Sequence, residues 1–132
     1  MELARRNPDI VLDGGHNPQC MEALAASLAR LYPGKKIRFL IGVLADKDYP
    51  DMPSRLLPMS HSFYTITPDS PRALSAQDLA SYLQGQGGRA VACANTREGL
   101  EMALAQAGLE DIVCACGSLY MLGEVRHLLG LC

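Results

Sequence analysis

Val11-Leu12-Asp13-Gly14-Gly15-His16-Asn17-Pro18 decides how this chain folds. The apolar run Ile10 to Leu12 leads into an acid, two glycines, a histidine and an Asn-Pro pair. This reads as a buried strand that ends in a tight loop and starts a helix. Asn17 suits the N-cap, and Pro18 suits the first helical turn, where its missing N–H leaves no bond unmade. Asp13 and His16 then sit at the carboxyl end of a strand, the edge at which ligands bind in open α/β sheets.

The same alternation continues downstream. Met21, Leu24, Ala25, Leu28 and Leu31 recur at helical spacing, and Pro33-Gly34 stops them. Ile37 to Val43 is an unbroken apolar run, which predicts a strand covered on both faces. A charged loop through Lys47 and a short helix around residues 51–57 precede a strand at Phe63 to Thr67. Ser75 with Asp78 opens the next helix as an acidic variant of a capping box. Ala90 to Cys93 forms a strand, Thr96 caps a helix, Asp111 to Ala115 forms a strand, and Gly117-Ser118 opens the last helix. Met1 to Pro8 reads as polar and irregular, the tail of an earlier element. Strands alternating with helices over short links require right-handed crossovers, hence a mostly parallel sheet with helices on both faces. The expected fold is a three-layer α/β/α Rossmann-like domain over residues 9–132, with residues 1–8 a residual interdomain segment.

Composition narrows the function classes. The 132 residues are 48% hydrophobic and 20% charged, a globular balance with room for a real core. A net charge of -2 offers nothing to nucleic acid or an anionic membrane, and the absence of Trp removes the best base-stacking platform. The five cysteines form no Cys-x-x-Cys pair, and Cys114 and Cys116 have no nearby histidine to complete a zinc site. They read as reduced structural thiols, which with no membrane span and no signal peptide point to a cytoplasmic protein.

Parallel topology gathers Asp13/His16, Asp46/Lys47/Asp48, Asp69/Arg72 and Gly117/Ser118 along one rim. Each has a functional and a plain reading. Asp13 suits a ribose, a cation or an Asx turn; His16 suits an anion, proton transfer or mere solvation. Lys47 and Arg72 are anion ligands or solvated loop charges. Ser118 holds an anion at a helix N-terminus or simply caps it. His61 and His127 read as structural or surface groups. No Gly-x-x-x-x-Gly-Lys phosphate loop, Gly-x-Gly-x-x-Gly fingerprint after a strand, or Gly-x-Ser-x-Gly elbow is present.

Leu12-Asp13-Gly14-Gly15-His16-Asn17-Pro18 resembles the Asp-Gly-Ala-His-Asn-Pro motif of folylpolyglutamate and dihydrofolate synthases. Gly42 to Asp48, Thr67 to Leu74, and Gly117-Ser118-Leu119-Tyr120 before Gly123-Glu124-Val125-Arg126 agree with the same family in order. Gly15 departs from the family's alanine, a change expected to loosen the loop while leaving its path intact. The resemblance covers only that family's C-terminal domain. It implies an ATP-dependent amide ligase whose ATPase domain, with the phosphate loop and most Mg2+ ligands, is N-terminal and absent from this sequence. ATP would activate the carboxylate of dihydropteroate or of a folate's terminal glutamate as an acyl phosphate, and L-glutamate would attack it. By position, Asp13 would touch the nucleotide ribose, His16 would be catalytic and face phosphate and glutamate, and Ser118 would bind a glutamate carboxylate. Lys47 and Arg72 would be rim contacts, and this domain would supply no metal ligand. The isolated domain would be inactive and the full-length enzyme a monomer. A Mur-type cell-wall ligase domain is the alternative within the superfamily, and a free-standing nucleotide-binding or regulatory module lies outside it.

Overall fold

A computed structural model describes residues 1–46 and 49–131. Six strands form one sheet: β1 (Glu2–Arg5), β2 (Asp9–Leu12), β3 (Ile37–Ile41), β4 (Ser60–Thr65), β5 (Ala90–Ala92) and β6 (Ile112–Cys116). Their order across the sheet is β1-β2-β6-β3-β4-β5. All neighbours are parallel except β1, which runs antiparallel to β2. The α/β class and the mostly parallel sheet are as expected.

The layers follow from the alternation of side chains along each strand. Val11, Phe39, Ile41, Phe63, Cys114 and Cys116 face one side, where α1 (Pro18–Leu31), α2 (Asp51–Ser54) and α3 (Ala76–Gly85) bury Met21, Leu24, Leu28, Met52, Leu79 and Leu83 against them. Ile10, Leu12, Leu40, Tyr64, Val113 and Ala115 face the other side, beneath α4 (Thr96–Gln106) and α5 (Leu119–Leu128). The central strand β6 is buried at every residue, because both of its faces and both of its edges are covered. Phe39 and Phe63 stack across the β3/β4 pair with ring centroids 5.5 Å apart.

Local capping signals hold for three helices. Asn17 Oδ1 accepts from Cys20 N at 2.8 Å, Ser75 Oγ from Asp78 N at 3.1 Å, and Ser118 Oγ from Tyr120 N at 3.1 Å. The cap of α4 differs from expectation. Asn95, not Thr96, is the N-cap and accepts from Glu98 N at 2.8 Å. Thr96 is instead buried as the first helical residue, and its hydroxyl reaches Glu124 on α5 at 3.4 Å.

The larger correction is at the N-terminus, where Glu2–Arg5 is a strand, not an irregular tail. An edge strand pairs on one side only and needs no apolar pattern, since its cohesion comes from backbone bonds to β2. Polar side chains anchor it as well: Glu2 pairs with Arg126, and Arg5 Nη2 donates to the carbonyl of Leu129 at 3.3 Å. The β4 strand likewise starts at Ser60, ahead of the apolar run, because its backbone continues the ladder with β3.

Candidate functional site

The sheet's topology creates the site. Adjacent strands β2 and β6 send their chains to opposite faces, β2 to α1 and β6 to α5, so their carboxyl ends part. Such a switch point leaves a crevice at the sheet edge. The Asp13–His16 loop lies in it, between the first turns of both helices. An ideal Cβ on Gly14 would stand 2.6 Å from Leu119 Cδ2 on α5, and one on Gly15 would stand 2.4 Å from Cys20 Cβ on α1. Gly15 thus runs so close to α1 that the present path of the loop leaves no room for a β-carbon. Gly15→Ala is expected to cost about 1–3 kcal/mol of stability, the usual range for overpacking. Cys20→Ala should not relieve it, because the contact is with the β-carbon; urea denaturation showing no loss for Gly15→Ala would refute the contact.

The loop separates two cavities. One, about 360 Å³, is lined by His16, Leu44, Arg72, Gly117, Ser118, Leu119 and Tyr120. His16, Arg72 and the Gly117-Ser118 pair, singled out in the sequence and carried on three loops far apart in the chain, thus line one cavity. Asp13 does not join them. It lines a neighbouring cavity of about 410 Å³ with Met1, Gly14, Gly15 and Cys20. Asp13 and His16 share the rim, as expected of one loop, but line different cavities on it. Lys47 and Asp48 lie outside the described residues.

Asp13 makes the turn that its plain reading requires. Its Oδ2 accepts from Gly15 N at 3.1 Å. A carboxylate has more acceptor positions than this contact uses, so the Asx turn leaves capacity for hydroxyl donors. His16 is exposed and has no hydrogen-bond partner among the described residues.

Ser118 is 2% exposed at the start of α5. It caps its helix, yet its hydroxyl proton remains available to an acceptor in the cavity, beside the N–H groups of the first turn. Gly117 brings it there with a φ of 101°. A β-carbon at that position would meet the carbonyl oxygen of Gly42 at 2.4 Å, so the turn after β6 fits against the β3 loop only with glycine.

Arg72 is carried to the cavity by a join between loops. Leu44 and Ala73 form an isolated antiparallel bridge; Ala45 N donates to Arg72 O at 2.7 Å and Leu74 N to Val43 O at 3.0 Å. In sequence Leu119 continues the apolar stripe of Leu122, Val125 and Leu129, which puts it in the core; it stands instead with Tyr120 on the cavity's rim, the two being 62% and 53% exposed.

The remaining chemistry-bearing groups lie elsewhere. The thiols of Cys20, Cys93, Cys114 and Cys116 are free. Cys116 is pushed well up from the ordinary thiol pKa by its hydrogen bond with Cys114 and by burial, so it stays protonated within the core. His61 stands at the amino end of β4, away from the site, and burial together with the nearby Arg38 guanidinium lowers its pKa. Among the described residues no three His, Cys, Asp or Glu side chains come together to hold a metal. No described helix is long and apolar enough to cross a membrane.

The result is a three-layer α/β/α domain with an open cavity beside the N-terminus of α5 at its switch point. The family model for the Mur ligase, glutamate ligase domain matches residues 1–119, and the chain belongs to that family. A dihydrofolate synthase/folylpolyglutamate synthase of Bacillus subtilis (strain 168) is 29% identical over 131 residues, covering 98% of this chain and 30% of the relative. The solved structure of a bifunctional folylpolyglutamate synthase/dihydrofolate synthase from Yersinia pestis, complexed with AMPPNP and Mn ion, is 28% identical with a TM-score of 0.88, over 98% of this chain and 30% of its own. A further structure of a bifunctional folylpolyglutamate synthase/dihydrofolate synthase, with Mn, AMPPNP and L-glutamate bound, is 28% identical with a TM-score of 0.86, over 98% of this chain and 31% of its own. The chain therefore spans about 30% of the length of the relatives it matches.

Proposed function

We propose that this chain is the C-terminal domain of a cytoplasmic, monomeric, ATP-dependent folylpolyglutamate synthase/dihydrofolate synthase, joining L-glutamate to dihydropteroate or to a folylpolyglutamate. Residues 9–132 are its ligase domain. Residues 1–8 lead in from an N-terminal ATPase domain and lend the sheet its edge strand. The observation that carries this reading is the cavity in which His16, Arg72 and Ser118 meet at the sheet's carboxyl edge. That cavity lies open on a chain about 30% as long as relatives that bear this activity in their names.

In the reaction, the carboxylate of the folate substrate takes the γ-phosphoryl group of ATP, releasing ADP. The amine of L-glutamate attacks the acyl carbon of the acyl phosphate, and the tetrahedral intermediate expels phosphate to leave an amide. The Asp13 carboxylate accepts hydrogen bonds from the nucleotide's ribose. Ser118 and the first turn of α5 hold a glutamate carboxylate, which fixes the amine. His16, with no internal partner, faces the phosphate and the incoming amine, where it can take the proton that the amine loses. Mg2+ belongs with the ATPase domain. Closure of the two domains excludes the water that would hydrolyse the acyl phosphate.

The test is turnover by the longer enzyme that contains this chain. With ATP, L-glutamate and dihydropteroate or a folate, it should sustain multiple turnovers of ADP release only when both other substrates are present, and mass spectrometry should find an added glutamyl unit. The 132 residues alone should turn over nothing. Absence of a glutamyl-extended product from the longer enzyme, or ligation by the 132 residues alone, would overturn the reading.

A further inference from the structure

We propose that Arg72 is the specificity-determining residue of the His16–Ser118 cavity and selects an amino acid whose side chain ends in a carboxylate. The inference rests on the ligase reading above and names what that reading leaves open, namely how an acidic amino acid is told from its neutral isostere.

An amino acid held in this cavity by Ser118 spends one carboxylate on the hydroxyl and the first turn of α5. That end is common to every amino acid and cannot discriminate among them. A second carboxylate needs its own partner, and Arg72 is the only permanently charged side chain among the described residues lining the cavity. Its side chain makes no ion pair or hydrogen bond among the described residues, so the guanidinium is uncommitted. Its root is nevertheless fixed. The Arg72 carbonyl accepts from Ala45 N at 2.7 Å, its N–H donates to Ser70 Oγ at 3.2 Å, and the Leu44–Ala73 bridge ties the loop to the one after β3. A planar guanidinium with a pinned backbone and free donors suits bidentate pairing with a carboxylate. An amide of the same shape presents one acceptor and an NH2 group that faces the cation unfavourably, which makes glutamine the discriminating competitor.

The experiment compares L-glutamate with L-glutamine as acceptor in the longer enzyme, for the unaltered chain and for Arg72→Gln and Arg72→Lys. Arg72→Gln should raise KM for L-glutamate roughly 10- to 100-fold, the range for losing a charge-assisted hydrogen bond, and leave KM for ATP unchanged. The preference for L-glutamate over L-glutamine should shrink by a similar factor, and Arg72→Lys should restore part of it, since the charge returns without the fork. An unchanged KM for L-glutamate in Arg72→Gln would overturn the assignment. So would a parallel loss for both amino acids, which would mark Arg72 as a ligand of the common carboxylate or a structural residue. If the unaltered enzyme shows no glutamate-dependent turnover, the ligase reading fails and this inference with it; turnover with no effect of Arg72→Gln removes the inference alone.

Discussion

Gly117→Ala is expected to destabilise the domain by about 3 kcal/mol and to lower its melting temperature by roughly 10 °C. Two costs combine. A residue with a side chain held at a φ of 101° gives up about 1–2 kcal/mol, and overpacking adds a further 1–3 kcal/mol. The overpacking is hard to relieve because the atom met at 2.4 Å is the backbone oxygen of Gly42, at the end of β3. Moving it would disturb the bond from Gly42 N to Cys116 O, which joins the two loops. Gly34 supplies the control. Its φ is 75° but nothing lies within 4 Å of its β-position, so Gly34→Ala should show the backbone cost without the clash. Equal melting-temperature losses for the two variants would mean that the Gly117 turn can move away from Gly42. Because Ser118 follows directly, the surviving folded fraction of Gly117→Ala should also bind the amino-acid substrate less well.

His16→Ala should produce the opposite pattern: a large loss of turnover with almost no loss of stability. The side chain is exposed and makes no hydrogen bond among the described residues, so its removal should change folding by no more than about 0.5 kcal/mol. If it accepts a proton from the attacking amine, kcat of the longer enzyme should fall by about 100-fold or more, the usual contribution of a positioned acid or base. Asp13→Ala separates the two sides of the loop. It should raise KM for ATP while costing about 1 kcal/mol of stability, because the bond from Gly15 N to Asp13 is lost. Thermal melts and steady-state kinetics on both variants decide the matter. A His16→Ala enzyme with full kcat, or one whose activity falls only in step with its melting temperature, would show that His16 is a solvated loop residue.

The contrast between these variants mirrors what could be read from the chain. Asn17, Ser75 and Ser118 cap their helices as their residue types dictate, because a cap is a contact between groups two or three residues apart. Strand–helix alternation, the two-sided burial of β3 and the placing of every βα loop on one rim follow from periodicity and crossover handedness. The edge strand Glu2–Arg5 was not legible, since its pairing with β2 leaves no trace in hydrophobic pattern. The cap of α4 was missed by one residue because Asn95 and Thr96 are both good caps; the contact of Thr96 with Glu124 on α5 is tertiary.

By itself, then, the order of residues determined the α/β class, the starts of α1, α3 and α5, and the set of loops that share an edge. Tertiary structure decided what those loops do together. It sent Asp13 and His16 to different cavities by wedging Gly14 against α5 and Gly15 against α1. It brought Arg72 to Ser118 through a bridge between Leu44 and Ala73. The physical reason is range. Capping and periodicity act within a turn or two of helix or strand, whereas the walls of a cavity are set by backbone bonds and close contacts between segments that only the finished sheet brings together.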